Sequence, residues 1–149
     1  MGCELTHIQL ACFSLGDKLF AVDIMRIREI LVSQKLSPLP CASAFLDGVI
    51  TLRGCVIPVM NMRKRFGMLI AADLCVGKLL IVTLVSQLLA LVVDDVMEVI
   101  SVPVAEIKPP IQIVAGVGME FLHGVCLSNS RVFMILDIDS LLSQPREVR

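Results

Sequence analysis

The sequence predicts a mainly β chain of about ten short strands, folded into small closed barrels rather than a single open sandwich. Three observations carry this. Apolar runs of strand length, rich in valine and isoleucine, alternate with turn signals along the chain of 149 residues. The longest uncharged run, residues 79–93, has 15 residues, short of the roughly 20 of a membrane-spanning helix. Ser86 and Gln87 divide it into two strands. Finally, the chain is 56% hydrophobic with a mean hydropathy of +0.87. Strands this apolar aggregate along open edges, so closure is required.

Each element follows from local chemistry. IQLACFSL and KLFAVDIM form a hairpin across Gly16-Asp17. Ile24, Ile27 and Leu31 fall at helical spacing, which predicts a turn or two of helix leading into the next strand. SPLP closes that strand, and CASAFLDG reads as a short helix ending at Gly48. GVITLR and VIPVMNM pair across Gly54-Cys55, with Val49, Thr51 and Arg53 on one face and the inward-facing Ile50 and Leu52 on the other. Pro58 cannot donate to a ladder and belongs at an edge or bulge. NMRKRFG is a helical turn capped by Asn61 and stopped by Gly67. DDVMEVISV is a strand with imperfect alternation at Val96 and Val99, and AEIKPPIQIVAGVGM is loop-like. FLHGVCLS and RVFMIL pair across Asn129-Ser130, and DIDSLLS is a closing helix capped by Asp137. No linker interrupts the chain, so it is one domain over residues 8–143 with flexible termini at 1–7 and 144–149.

Composition excludes several functions. The net charge is −1, although residues 24–66 hold seven basic side chains (Arg26, Arg28, Lys35, Arg53, Arg63, Lys64, Arg65) against Glu29 and Asp47. Nucleic-acid binding needs such cations interleaved with stacking aromatics, and Trp and Tyr are absent. The six cysteines form no C-x-x-C pair and follow no secretory signal; Cys12, Cys55 and Cys126 read as small hydrophobes in a reducing cytosol. His7 and His123 lack companions at metal-site spacing, so no metal and no cofactor is expected. Asp94-Asp95 and Asp137/Asp139 stand where strands end or helices begin. GVGMEFLHG is no phosphate loop, and no nucleophile elbow occurs; the chain reads as a non-enzyme. MGCELT fits the short myristoylation pattern, which leaves a lipid-anchored protein as the competing reading, and a small-molecule-binding barrel is a further one.

GVITLRGCVIPVMNMRKRFG resembles the signature of the CheW family of bacterial chemotaxis adaptors, G-V-I-N-L-R-G-x-I-I-P-V-I-D-L-R. The likeness extends to FSLGDKLFAVDI, MRIREI, VVDDVMEV, EIKPP and RVFMILDIDSLL, and so to residues 8–143. Thr51 replaces the usual Asn and Asn61 the usual Asp. The resemblance implies two intertwined SH3-like five-stranded β-barrels and no catalysis. It implies binding to the regulatory domain of a CheA-type histidine kinase and to the cytoplasmic tip of methyl-accepting chemoreceptors. The expected location is the cytoplasm, at receptor arrays on the inner membrane, with no direct membrane contact. A related pathway controlling pili or gliding is the alternative. With no further domain in the chain, action in trans is expected.

By the same resemblance Arg53 is the family's functional arginine and Glu29 the acid associated with it. The two are expected to meet at a receptor-facing surface, with Ile24, Ile27 and Ile30 lining an apolar groove beside them.

Overall fold

A computed structural model describes residues 6–32, 36–38, 46–68, 77–110 and 119–142. Strands β1 (His7–Leu15) and β2 (Lys18–Asp23) form the expected hairpin, its turn carrying Gly16 at φ +61°. A single 3-10 turn, Ile24–Arg26, follows, capped by the Asp23 carboxylate accepting the Met25 N–H at 2.9 Å. Strand β3 begins at once, at Ile27–Val32. The helix expected from Ile27 and Leu31 is therefore a strand. Residues four apart share a face in both periods, so that spacing could not separate the two.

Strands β4 (Leu46–Leu52) and β5 (Cys55–Asn61) pair around Arg53-Gly54, one residue before the expected Gly54-Cys55. Of the helix expected over CASAFLDG, Leu46 and Asp47 are strand, and residues 41–45 lie outside the described residues. Pro58 sits where β5 pairs with β4 alone, since the parallel ladder to β7 starts at Val59. Helix α1 (Met62–Arg65) is capped as expected, the Asn61 side-chain oxygen accepting the Lys64 N–H at 3.2 Å. Strands β6 (Lys78–Thr83) and β7 (Leu88–Val93) are the two halves of the long apolar run. Strand β8 (Asp95–Pro103) bulges against β1, which explains its broken alternation. Strands β9 (Leu122–Ser128) and β10 (Arg131–Leu136) close the chain with a 3-10 turn, Ile138–Ser140, in place of the expected helix. Asp137 occupies its cap position without a side-chain cap bond.

The strands form two five-stranded sheets, β8-β1-β2-β10-β9 and β3-β6-β7-β5-β4. The second sheet is built wholly from the middle of the chain, inserted between strands of the first. Each contains the same sequence of ladders: two antiparallel, one parallel, one antiparallel. Each also meets its own far edge at one point. Ser37, beyond β3, exchanges both backbone hydrogen bonds with Val49 of β4, at 2.9 and 2.8 Å; Lys108, beyond β8, does the same with Val125 of β9, at 2.8 and 2.9 Å. Among the described residues, then, the two edges of each sheet meet at one bridge and not along a continuous ladder. Glycine permits the approach: a Cβ on Gly48 would lie 2.4 Å from the Ser37 carbonyl oxygen, and one on Gly124 2.5 Å from that of Lys108.

The strands divide their side chains among three cores. Phe13, Leu15, Phe20 and Val22 of the first sheet meet Leu80, Val82, Leu89 and Leu91 of the second in one large core. The opposite faces fill a core private to each sheet: Leu10, Cys12 and Phe133 in one, Ile57, Leu79 and Ile81 in the other. Central strands buried on both faces read as unbroken apolar runs. This accounts for the high hydropathy, and among the described residues no helix is long and apolar enough to cross a membrane.

Candidate functional site

The β4–β5 turn places both central residues at positive φ, Arg53 at +50° and Gly54 at +82°. This is the type I′ geometry that matches the twist of a two-residue hairpin. Glycine takes such a conformation freely, whereas arginine's Cβ crowds the following carbonyl oxygen. The turn therefore holds one residue that suits it and one that does not.

A partner across the barrel seam holds Arg53. Glu29 lies on β3, immediately past a bulge in its ladder to β6. Strands β3 and β4 are the two edges of their sheet. The guanidinium spans them bidentately, Nη1 donating to Oε1 at 2.5 Å and Nη2 to Oε2 at 3.3 Å. The fork geometry fixes the plane of the arginine. Hydrogen bonding from Arg53 holds the Glu29 carboxyl below its usual range, and the same bond raises the arginine. The arginine side chain is 70% exposed and the carboxylate 25%. The pair thus presents a cation to solvent and keeps its anion behind.

The three isoleucines differ in exposure. Ile24, in the 3-10 turn, is half-buried, and Ile27 packs against the large core. Ile30 is exposed, on the same outer face of β3 as Arg28 and Val32, with Glu29 and Leu31 turned the other way. Sequence reasoning missed Arg28, Val32 and the exposed Val56, which stands opposite Thr51 on the hairpin. The signal for the first two was present in the alternation of IREILV, once read with period two. Of the cysteines read as small hydrophobes, Cys55 is exposed at the hairpin tip, while Cys12 and Cys126 are buried. Burial pushes the Cys12 thiol up to about 12 and also raises Cys126.

The other charged clusters hold the fold together. Asp94 accepts from Arg63 through two bonds, at 3.1 and 2.5 Å, and from the Gly16 N–H at 2.7 Å, tying the β1–β2 turn to α1. Asp47 accepts the buried Asn61 amide at 3.0 Å and the Lys64 ammonium at 2.7 Å. An aspartate at position 61 could not donate to Asp47, so this Asn matches its neighbour as well as capping α1. Asp139 accepts from Arg26 at 2.8 Å. His123 stands 3.8 Å from Asp137. Among the described residues no three metal-ligating side chains converge.

Comparison with known proteins matches this arrangement to one family. The model of the CheW-like domain matches residues 9–146. The chain is 34% identical over 147 residues to the chemotaxis protein CheW of Treponema pallidum, covering 96% of this chain and 86% of that one. It is 36% identical over 141 residues to the chemotaxis protein CheW of Rhizobium meliloti, covering 93% and 90%. The crystal structure of the scaffolding protein TtCheW from Thermoanaerobacter tengcongensis superposes with a TM-score of 0.85 at 27% identity, covering 97% of this chain and 93% of that one. With two five-stranded sheets, a seam-spanning Arg53–Glu29 pair and a match across nearly its whole length, the chain belongs to the family of CheW-like domains.

Proposed function

We propose that this chain is a non-catalytic adaptor coupling transmembrane chemoreceptors to a CheA-type histidine kinase in chemotaxis signalling. It acts in the cytoplasm, at receptor arrays, and reaches the membrane only through its receptors. The observation that carries the receptor-facing half of this reading is the Arg53–Glu29 pair. An arginine kept at positive φ, splayed across a seam and 70% exposed is costly as a scaffold element and well placed as a recognition element. Glu29 orients it for a carboxylate or carbonyl on the cytoplasmic tip of a methyl-accepting receptor. Ile24 and Ile30 supply apolar contact beside it, and Ile27, on the same face of β3 as Ile30, anchors that face to the large core.

Isothermal titration against the regulatory domain of the kinase, with Arg53→Glu in parallel, tests the coupling. Saturable binding by both proteins supports an adaptor whose kinase contact lies away from Arg53. Absence of heat from the wild type, corroborated by co-sedimentation, would contradict the adaptor reading.

A further inference from the structure

The two barrels repeat not only their topology but their seam pairs. In the β8-β1-β2-β10-β9 sheet Glu98, in the bulge of β8, accepts from Arg131 at the base of the β9–β10 turn, at 2.6 Å. Glu98 matches Glu29, Val99 matches Ile30, and Met97 stands where β3 has Arg28. This β8–β9 seam is charge-balanced: one glutamate, 44% exposed, against one arginine, 38% exposed and lying 5.3 Å from the Phe133 ring. The β3–β4 seam is not. Glu29 is committed to Arg53, and Arg28 is exposed with no ion-pair partner among the described residues. Arg28 is near enough to help depress the Glu29 carboxyl. Its strand face continues into two uncovered aliphatic residues, Ile30 at 45% and Val32 at 70% exposure.

We propose that Arg28 is a second recognition cation, and that the outer face of β3, Arg28-Ile30-Val32, receives an acidic, amphipathic segment of the receptor tip. The inference rests on the receptor-facing reading above and adds the chemistry of what is read. Two guanidiniums against one carboxylate leave an excess positive charge beside an apolar stripe. A partner covering this face supplies a carboxylate against Arg28 and aliphatic side chains against Ile30 and Val32. A partner supplying neither would bury an unpaired cation.

The test uses the full chain, with Arg28→Lys, Arg28→Gln and Arg28→Glu, sedimented with vesicles carrying the cytoplasmic fragment of a chemoreceptor from the same genome. Kinase-domain binding and thermal melting are measured alongside. Arg28→Gln is expected to bind the receptor about threefold more weakly with a flatter salt dependence, and Arg28→Glu about tenfold more weakly. Arg28→Lys is expected to stay within about twofold of wild type, since a point charge suffices where no fork is used. Kinase binding and melting should not move. Wild-type affinity and unchanged salt dependence in both Gln and Glu variants would overturn the role of Arg28 alone. Failure of the wild type to bind the receptor would overturn the receptor-facing reading itself, and this inference with it.

Discussion

The β4–β5 and β9–β10 hairpins occupy equivalent places in their sheets, and each turns through two residues of positive φ. In the second, those residues are Asn129 at +53° and Ser130 at +65°; asparagine tolerates this conformation because its short side chain bonds locally. In the first, Arg53 takes the asparagine's place. Behind the turns, Thr51 opposite Val56 becomes Leu127 opposite Val132. At the first turn position asparagine is thus replaced by an arginine that the same backbone does not favour, set at an exposed tip, while at the second position the exchange runs the other way, Ser130 against Gly54.

The comparison can be broken first at what the hairpins share. Gly48→Ala and Gly124→Ala each drive a Cβ into a carbonyl oxygen across the closing bridge. Each is expected to cost about 2–4 kcal/mol in chemical denaturation, by opposing strain and loss of the bridge. A loss in only one barrel would show that the two closures are not equivalent.

Next come the polar residues behind the first hairpin. Asn61→Asp sets a carboxylate against that of Asp47, where the amide now donates at 3.0 Å. The expected loss is about 1–2 kcal/mol at neutral pH. Like charge raises the folded pKa of such a pair, so the deficit should shrink as pH falls and one carboxylate takes up a proton. Denaturation midpoints between neutral pH and the carboxylate range measure it.

Asp94 works in the opposite sense. Hydrogen bonding from Arg63 and then from the Gly16 N–H holds its carboxyl below the ordinary aspartate value of 3.8. Its contribution is therefore present above that value and is lost as pH falls through the folded pKa. Its side chain is 35% exposed, so after discounting for solvent screening Asp94→Asn should cost only about 1 kcal/mol, read as a melting shift that disappears in acid.

The smallest expected effect on stability separates the two turns. Arg53→Asn gives the first hairpin the residue found in the second. It should melt no lower than wild type, because relief at positive φ offsets an exposed ion pair, while receptor binding is lost. A fall in melting temperature comparable to the glycine variants would make the arginine structural.

Much of this was legible in the sequence, for identifiable reasons. The hairpins were marked by Gly16-Asp17 and Asn129-Ser130, and the cap of α1 by Asn61 followed by a basic turn. The halves of the 79–93 run were separated by two polar residues. What stayed hidden depended on tertiary placement. IREILV satisfies helix and strand periods at Ile27 and Leu31, so only pairing with β6 decides it. The tip shifted by one residue because an arginine at positive φ is a choice that turn chemistry argues against. That Glu29 and Arg53 are neighbours rests on closure of the sheet, which local spacing does not express, and was expected only from family resemblance. The unmatched charge on Arg28 became visible only beside the other barrel, where Met97 of β8 stands in its place.

The most direct test of the central claim is the charge swap Glu29→Arg with Arg53→Glu, measured in parallel for melting and for sedimentation with receptor-bearing vesicles. The swap rebuilds the ion pair with its polarity reversed. The account predicts near-wild-type melting with receptor binding still lost, because the partner meets an anion where it requires a cation. Recovery of receptor binding by the swapped pair would contradict it, showing that the bridge across the seam, and not the guanidinium it presents, is what the receptor needs.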